Sequence, residues 1–361
     1  MKSYLNLFDE ICAFENLYLA SQKAEKGKRF RDEVAVFNAR RAENLVEVQR
    51  LLRTGSYPFG SFRTHRIFRP KPRMISAAPY RDRVVHHALI NVIGPLFEAK
   101  FIRDSYANQI GKGTHAALDR CTQFCRRFRY VLQLDIRKYF PCLDHLILLA
   151  EIDRTIACRP TRELIAQVVT RSNPQEPAHF HFPGDDLFTP FERAKGLPIG
   201  NLTSQFFANV YLNPFDHFVK ETLRAPGYIR YVDDVLVFSD DKAWLHRCRQ
   251  HCQAFLVHWR LQLHERKVAV YPVTQGIPFL GFRVFPTHRR LLRSGVKRSR
   301  LRLRFLQRAF GRSRLSWQTV NASVQAWLGH VGHGDTWGLR STLFNRYAFR
   351  RRERFLKGAA P

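Results

Sequence analysis

Apolar and polar positions divide the chain into helical and strand-like stretches. Over residues 1–55, Phe8, Ile11, Phe14, Leu17 and Leu19 recur at near-helical spacing. Val34, Phe37, Leu45, Val48 and Leu52 follow, until Thr54-Gly55-Ser56-Tyr57-Pro58 ends the pattern. This predicts packing helices. Phe62 to Ala77 reads as a hairpin in which Arg66-Ile67-Phe68 and Met74-Ile75-Ser76 flank Arg69-Pro70-Lys71-Pro72-Arg73. Tyr80 opens a helix whose apolar face runs through Val92, Ile93 and Leu96, and a second helix starts at Ala116. Val131-Leu132-Gln133-Leu134-Asp135-Ile136 reads as a buried strand. Residues 172–195, rich in Pro, Gly and acid, read as a hairpin or loop insertion. Gly196 to Gln205 opens a helix that Thr203 or Ser204 can cap, with Phe206, Phe207, Val210, Tyr211 and Leu212 on its apolar side. Gly227 to Asp240 reads as strand, tight turn, strand. A helix through Trp259 follows, then a short strand pair around Gly281.

Acids interrupt the apolar runs at two places where they are least expected. Asp233 and Asp234 sit at the turn of Tyr231-Val232-Asp233-Asp234, between β-branched runs. Alone, that pattern fits an acidic hairpin turn facing solvent as well as a metal site. Asp135 ends the other buried run, where a surface role is a poor fit. Two such strands side by side would present three carboxylates at one edge. That arrangement suits two Mg²⁺ ions, one at the attacking and one at the leaving oxygen of a phosphoryl transfer.

Charge changes the picture next. The chain has 361 residues, with 60 Lys plus Arg against 30 Asp plus Glu, a formal charge of +30. Such an excess points to a polyanionic partner, nucleic acid first and an anionic membrane surface second. The cations are concentrated: Arg266 to Gly334 contains no acid, and Arg289 to Arg314 carries eleven cations interleaved with Leu and Phe, among them Lys297, Arg298, Arg300 and Arg304. A basic helix with an apolar face reads as a duplex-binding element, since a solvated face mixes both signs. Lys71 and Arg73, in a proline-stiffened turn, are placed to meet phosphates. Gly111-Lys112-Gly113 is only a weak phosphate signal. The seven scattered cysteines resemble neither a disulfide framework nor a zinc pattern; Cys121 with Cys125 and Cys248 with Cys252 carry no strong metal spacing. No stretch approaches the roughly 20 apolar residues of a membrane span, and a cytoplasmic location is expected.

In this order the stretches resemble a reverse transcriptase. Arg69–Ser76 resembles the fingers, and Leu134-Asp135-Ile136 through Phe140 the first catalytic palm motif. Tyr231–Asp234 resembles the second such motif, and Phe279-Leu280-Gly281-Phe282 the primer grip, before a helical thumb. The resemblance implies an α+β right-hand polymerase. It would have an N-terminal helical extension at 1–55, fingers at 56–130, a palm at 131–285 and a basic helical thumb and tail at 286–361. It also implies metal ligation by Asp135, the Ile136 carbonyl and Asp233, with Asp234 in support. Lys267 would protonate pyrophosphate, and Phe140 would be the steric gate against ribose.

Three stretches are most similar to reverse transcriptases of diversity-generating retroelements: Ser105-Tyr106-Ala107-Asn108 with Lys112-Gly113-Thr114-His115; Leu197-Pro198-Ile199-Gly200-Asn201-Leu202-Thr203-Ser204-Gln205; and Leu328-Gly329-His330 before Asp335-Thr336. Ile199 and Gln205 stand where most reverse transcriptases have Gln and Pro. This implies copying of a template-repeat RNA into cDNA that is error-prone at adenines, from dNTPs and a primer. It also implies a small basic pentameric accessory protein. Retron-, defence- or group II intron-like enzymes without targeted mutagenesis share the acids, and an inactive RNA-binding scaffold shares the basic helix.

Overall fold

In the computed structural model, residues 4–68, 72–171 and 176–350 are described. The chain opens with four helices, α1 (Leu7–Cys12), α2 (Phe14–Glu25), α3 (Asp32–Ala39) and α4 (Arg41–Arg53). Ile11, Leu17, Val34, Phe37, Leu45, Val48 and Leu52 are buried there as their spacing predicts, but Leu19 is exposed. Leu19 lies two residues from Leu17, and positions two apart do not share a helix face. β1 (Arg63–Ile67) and β2 (Arg73–Ala77) form the expected antiparallel hairpin, with Arg66 opposite Met74. The turn residue Lys71 lies outside the described residues.

Helices α5 (Tyr80–Glu98) and α6 (Thr114–Arg127) lead to β3 (Tyr130–Asp135). After it come α7 (Tyr139–Cys142), α8 (His145–Asp153), α9 (Arg159–Thr170), the short α10 (Thr189–Glu192) and α11 (Leu202–His217). Asp144 caps α8, accepting from the amides of Leu146 and Ile147 at 2.9 and 3.2 Å. The expected cap of α11 is corrected. Asn201 is its N-cap residue, while Thr203 and Ser204 are buried within the first turn. The Asn201 side chain is spent elsewhere, donating to Ser76 O at 2.8 Å and accepting from Ala78 N at 3.0 Å. Among the described residues of the 172–195 segment there is no strand; it holds α10, turns and a single antiparallel bridge between Lys195 and Asp144.

β4 (Gly227–Tyr231) and β5 (Asp234–Ser239) are joined by two residues, which makes them an antiparallel hairpin. α12 (Lys242–His258), β6 (Ala269–Pro272), β7 (Ile277–Phe279), β8 (Phe282–Val284), β9 (Arg289–Leu291), α13 (Arg293–Gly311), α14 (Trp317–Val331) and α15 (Trp337–Arg346) complete the chain. The fold class is α+β, as expected.

The chain divides into two compact units. The first comprises residues 1–113, 132–237 and 241–270, and the second 114–131, 238–240 and 271–361. The first holds the N-terminal helices and the hairpin β1-β2. It holds most of a four-stranded sheet in the order β4-β5-β3-β6. Val235, Leu236, Val237, Leu132 and Leu134 are completely buried in that sheet. In the second unit, β7-β8-β9 form an antiparallel sheet and α13–α15 pack through Leu303, Leu306, Val320 and Leu343. Among the described residues, no helix is long and apolar enough to cross a membrane. All seven cysteines are free thiols and buried.

Candidate active site

The sheet order sets β3 beside β5, so the end of β3 and the turn before β5 come to the same place. There Asp135 and Asp233 line one cavity of about 340 Å³. Asp135 is fixed from behind: its carbonyl accepts from His264 N at 2.8 Å, and the next residue, Ile136, forms an antiparallel bridge with Leu263. Lys267 ion-pairs with the Asp135 carboxylate. Ile136, Phe140, Ile199, Arg73 and Lys267 share the cavity wall with the two acids.

Desolvation pushes the Asp233 carboxyl above its ordinary value, the neighbouring Asp135 adds to the rise, and Arg73 and Lys267 oppose it. Two carboxylates that disfavour each other's charge, offering only hard oxygen donors, suit a hard divalent cation such as Mg²⁺. Such a cation needs only one or two carboxylates plus substrate phosphates. The residues therefore fit the ion.

The third acid does not join them. Asp233 belongs to the turn, and Asp234 is the first residue of β5. With Asp233 facing the cavity, Asp234 is absent from its lining. Among the described residues, no group of three His, Cys, Asp or Glu is arranged to hold a metal ion. Of the three expected carboxylates, Asp135 and Asp233 line the cavity.

The other expected residues divide. Gly200, at φ +117°, has a backbone role: a Cβ there would meet Ile75 Cγ2 at 2.8 Å. That closeness lets Ile199 O accept from Ser76 N at 2.9 Å and docks the start of α11 on β2. Gln205 is exposed on α11 and does not line the cavity. In the second unit, Phe279 ends β7, and Leu280 and Gly281 make the turn to β8 at φ +46° and +90°. Lys297, Arg298, Arg300 and Arg304 are all exposed on α13. Sequence reasoning missed Met74, Tyr139, Glu176 and His264 on the cavity wall. It also missed Arg230, fully buried and ion-paired with Asp216 at 2.6 Å. The only sequence signal for that pair was an arginine inside an apolar strand.

The pattern of the family described as reverse transcriptase (RNA-dependent DNA polymerase) matches residues 65–284, more than half of the chain. The chain belongs to the reverse transcriptase family. Both cavity acids, Phe140, Ile199 and Lys267 fall inside the matched region. Protein YkfC of Escherichia coli K12 is 24% identical, over 61% of this chain and 66% of its own length. Group II intron-encoded protein LtrA of Lactococcus lactis subsp. cremoris is 23% identical, over 57% of this chain and 33% of its own. The putative COX1/OXI3 intron 1 protein of Saccharomyces cerevisiae is 21% identical, over 60% and 24%. The chain thus spans two thirds or less of each of these relatives. Among solved structures, apo telomerase from Candida tropicalis superposes with a TM-score of 0.45 at 12% identity, over 65% of this chain and 55% of that one.

Proposed function

We propose that the chain is an RNA-directed DNA polymerase using Asp135 and Asp233, and that it is of the diversity-generating kind. The observation that carries the polymerase reading is the pair of carboxylates in one cavity, with Lys267 on one of them and Arg73 on the wall.

The primer 3′ hydroxyl would attack the α-phosphate of a dNTP in line, and pyrophosphate would leave. Asp135, Asp233 and the Ile136 carbonyl would hold Mg²⁺, which would supply Lewis-acid charge for the transfer. Asp234 supports the site from the neighbouring position on the chain. Arg73 and Lys71 neutralise the triphosphate, and Arg73 is suited to bidentate contact with it. Lys267, ion-paired with Asp135 on the cavity wall, would be the proton source for the leaving pyrophosphate. Phe140 supplies the wall that a ribose 2′ hydroxyl would strike.

The narrower reading rests on Ile199. It lines the cavity with an aliphatic side chain that can form no hydrogen bond to a templating nucleotide. Losing a polar constraint of about 1.4 kcal/mol raises mispairing about tenfold. Under this reading the partners are template RNA, primer, cDNA and a small basic pentameric accessory protein, in the cytoplasm. The intron-encoded relatives favour the alternative, an intron-like reverse transcriptase without targeted errors.

Primer extension on an RNA template with Mg²⁺ and dNTPs, followed by cDNA sequencing, tests both levels. The proposal expects extension, errors concentrated opposite template adenines, and fewer such errors in Ile199→Gln. Accurate extension discards the diversity-generating role and keeps the polymerase. Absence of extension, with and without the accessory protein, overturns the polymerase reading.

A further inference from the structure

We propose that Arg230 is a positioning residue for Asp233: it clamps the strained turn that carries this carboxylate to the cavity. The proposal rests on the polymerase reading for its catalytic readout and on the turn geometry for everything else.

Val232, the residue before Asp233, has φ +58°. A β-branched side chain is a poor occupant of the left-handed region, because its Cβ crowds the backbone; glycine or asparagine is the usual choice. The local sequence therefore does not hold this turn, and something else must. Arg230, two residues earlier on β4, donates from Nη1 to the Val232 carbonyl at 3.2 Å and to Asn209 Oδ1 at 3.0 Å. Its Nε and Nη2 donate to Asp216 Oδ1 and Oδ2, both at 2.6 Å. Tyr228 donates its hydroxyl to Asp216 Oδ1 at 2.5 Å.

Asn209 and Asp216 both lie on α11, so the guanidinium is braced against a helix rather than a loop. Its own backbone is held too: Arg230 N donates to Asp104 O, and Tyr106 N donates to Arg230 O, each at 3.0 Å. A planar fork of five donors can grip a carboxylate and a turn carbonyl at once. A lysine ammonium keeps the charge but cannot span both. The energy that keeps Val232 left-handed thus comes from a buried ion pair between β4 and α11.

The test is a pair of double-mutant cycles. Arg230→Lys and Asp216→Asn are each made alone and with Val232→Gly, and single-nucleotide incorporation is measured. The clamp predicts that each single variant lowers kcat at least about tenfold while KM for dNTP stays within about twofold. It also predicts that Val232→Gly restores several-fold in both variants but not in the wild type, because glycine takes φ > 0 freely. Equal effects of Val232→Gly in all three backgrounds, or a loss confined to KM, would overturn it. So would failure of both Arg230→Lys and Asp216→Asn to fold, which would make the pair a core-stability device only.

Methyl NMR reads the turn without catalysis. Val232 methyl signals should move in Arg230→Lys while those of Val85, on α5, stay in place; unmoved Val232 signals would contradict the clamp. An inactive wild type would count against the polymerase reading alone, leaving this spectroscopic arm to decide.

Discussion

The β4-β5 hairpin and helix α13 both carry charge, and they use it in opposite ways. Around the cavity and the hairpin, charges are partly or wholly buried and several have close partners: Asp135 with Lys267, Arg230 with Asp216. On α13, Lys297, Arg298, Arg300 and Arg304 are exposed, and none of the four appears in an ion pair among the described residues. A buried charge needs precise partners, because an unpaired one costs several kcal/mol. An exposed cation needs none, and is free to meet phosphate from solution. The first arrangement suits chemistry at a point; the second suits a grip that is indifferent to sequence.

The sharpest way to break this contrast is to remove a cavity acid. Asp233→Ala or Asp135→Ala should lower primer extension by at least about a thousandfold, the equivalent of roughly 4 kcal/mol of transition-state stabilisation. A loss of less than about tenfold, measured with pre-bound primer–template, would mean the cavity is not where the chemistry occurs.

Neutralising Arg298, Arg300 and Arg304 together should act on binding instead. Affinity for an RNA–DNA duplex should fall uniformly across sequences. The slope of log K against log salt should shrink by roughly one for each phosphate that is no longer neutralised. An unchanged slope in a salt titration would detach α13 from nucleic acid.

Phe140→Ala sharpens the comparison within the cavity itself. Discrimination against rNTPs should relax by about 10–200-fold, the range that a pocket wall supplies by shape alone. Parallel incorporation of dNTP and rNTP measures this, and unchanged selectivity would remove Phe140 from that role.

The smallest effect concerns stability. Burial, with His87 and Arg83 nearby, pushes buried His86 on α5 down to about 3 from 6.5. The unfolded chain then takes up the proton first as pH falls, so stability is fully present above pH 6.5 and declines from 6.5 towards about 3. His86→Phe should flatten that part of the melting-temperature profile; an unaltered slope would assign acid sensitivity to other groups.

Much of this contrast was legible in the sequence, for identifiable reasons. Alternation and β-branching revealed β3, β4 and β5, and an acid ending each apolar run exposed Asp135 and Asp233 as anomalies. The basic helix was legible because charge sign and helical spacing are both local. What escaped depends on contacts between distant residues. Asp234 reads as equivalent to Asp233, yet of the two Asp233 lines the cavity. Asn201 was passed over as the α11 cap because its partners, Ser76 and Ala78, lie more than a hundred positions away. Nothing local to Arg230 reveals its role, since its counterion Asp216 arrives from α11. Asp144 likewise shows no sign in sequence of bonding Arg260, 116 positions on, at 2.5 Å.

Single-turnover incorporation of one dNTP on saturating RNA template and primer separates the cavity acids from the exposed cations of α13. It compares the wild type, Asp233→Ala and the triple variant of Arg298, Arg300 and Arg304. Saturation removes differences in binding and leaves the rate of the chemical step. The account predicts that the wild type and the triple variant incorporate at similar rates while Asp233→Ala is silent. Incorporation by Asp233→Ala at a rate near that of the wild type would contradict it.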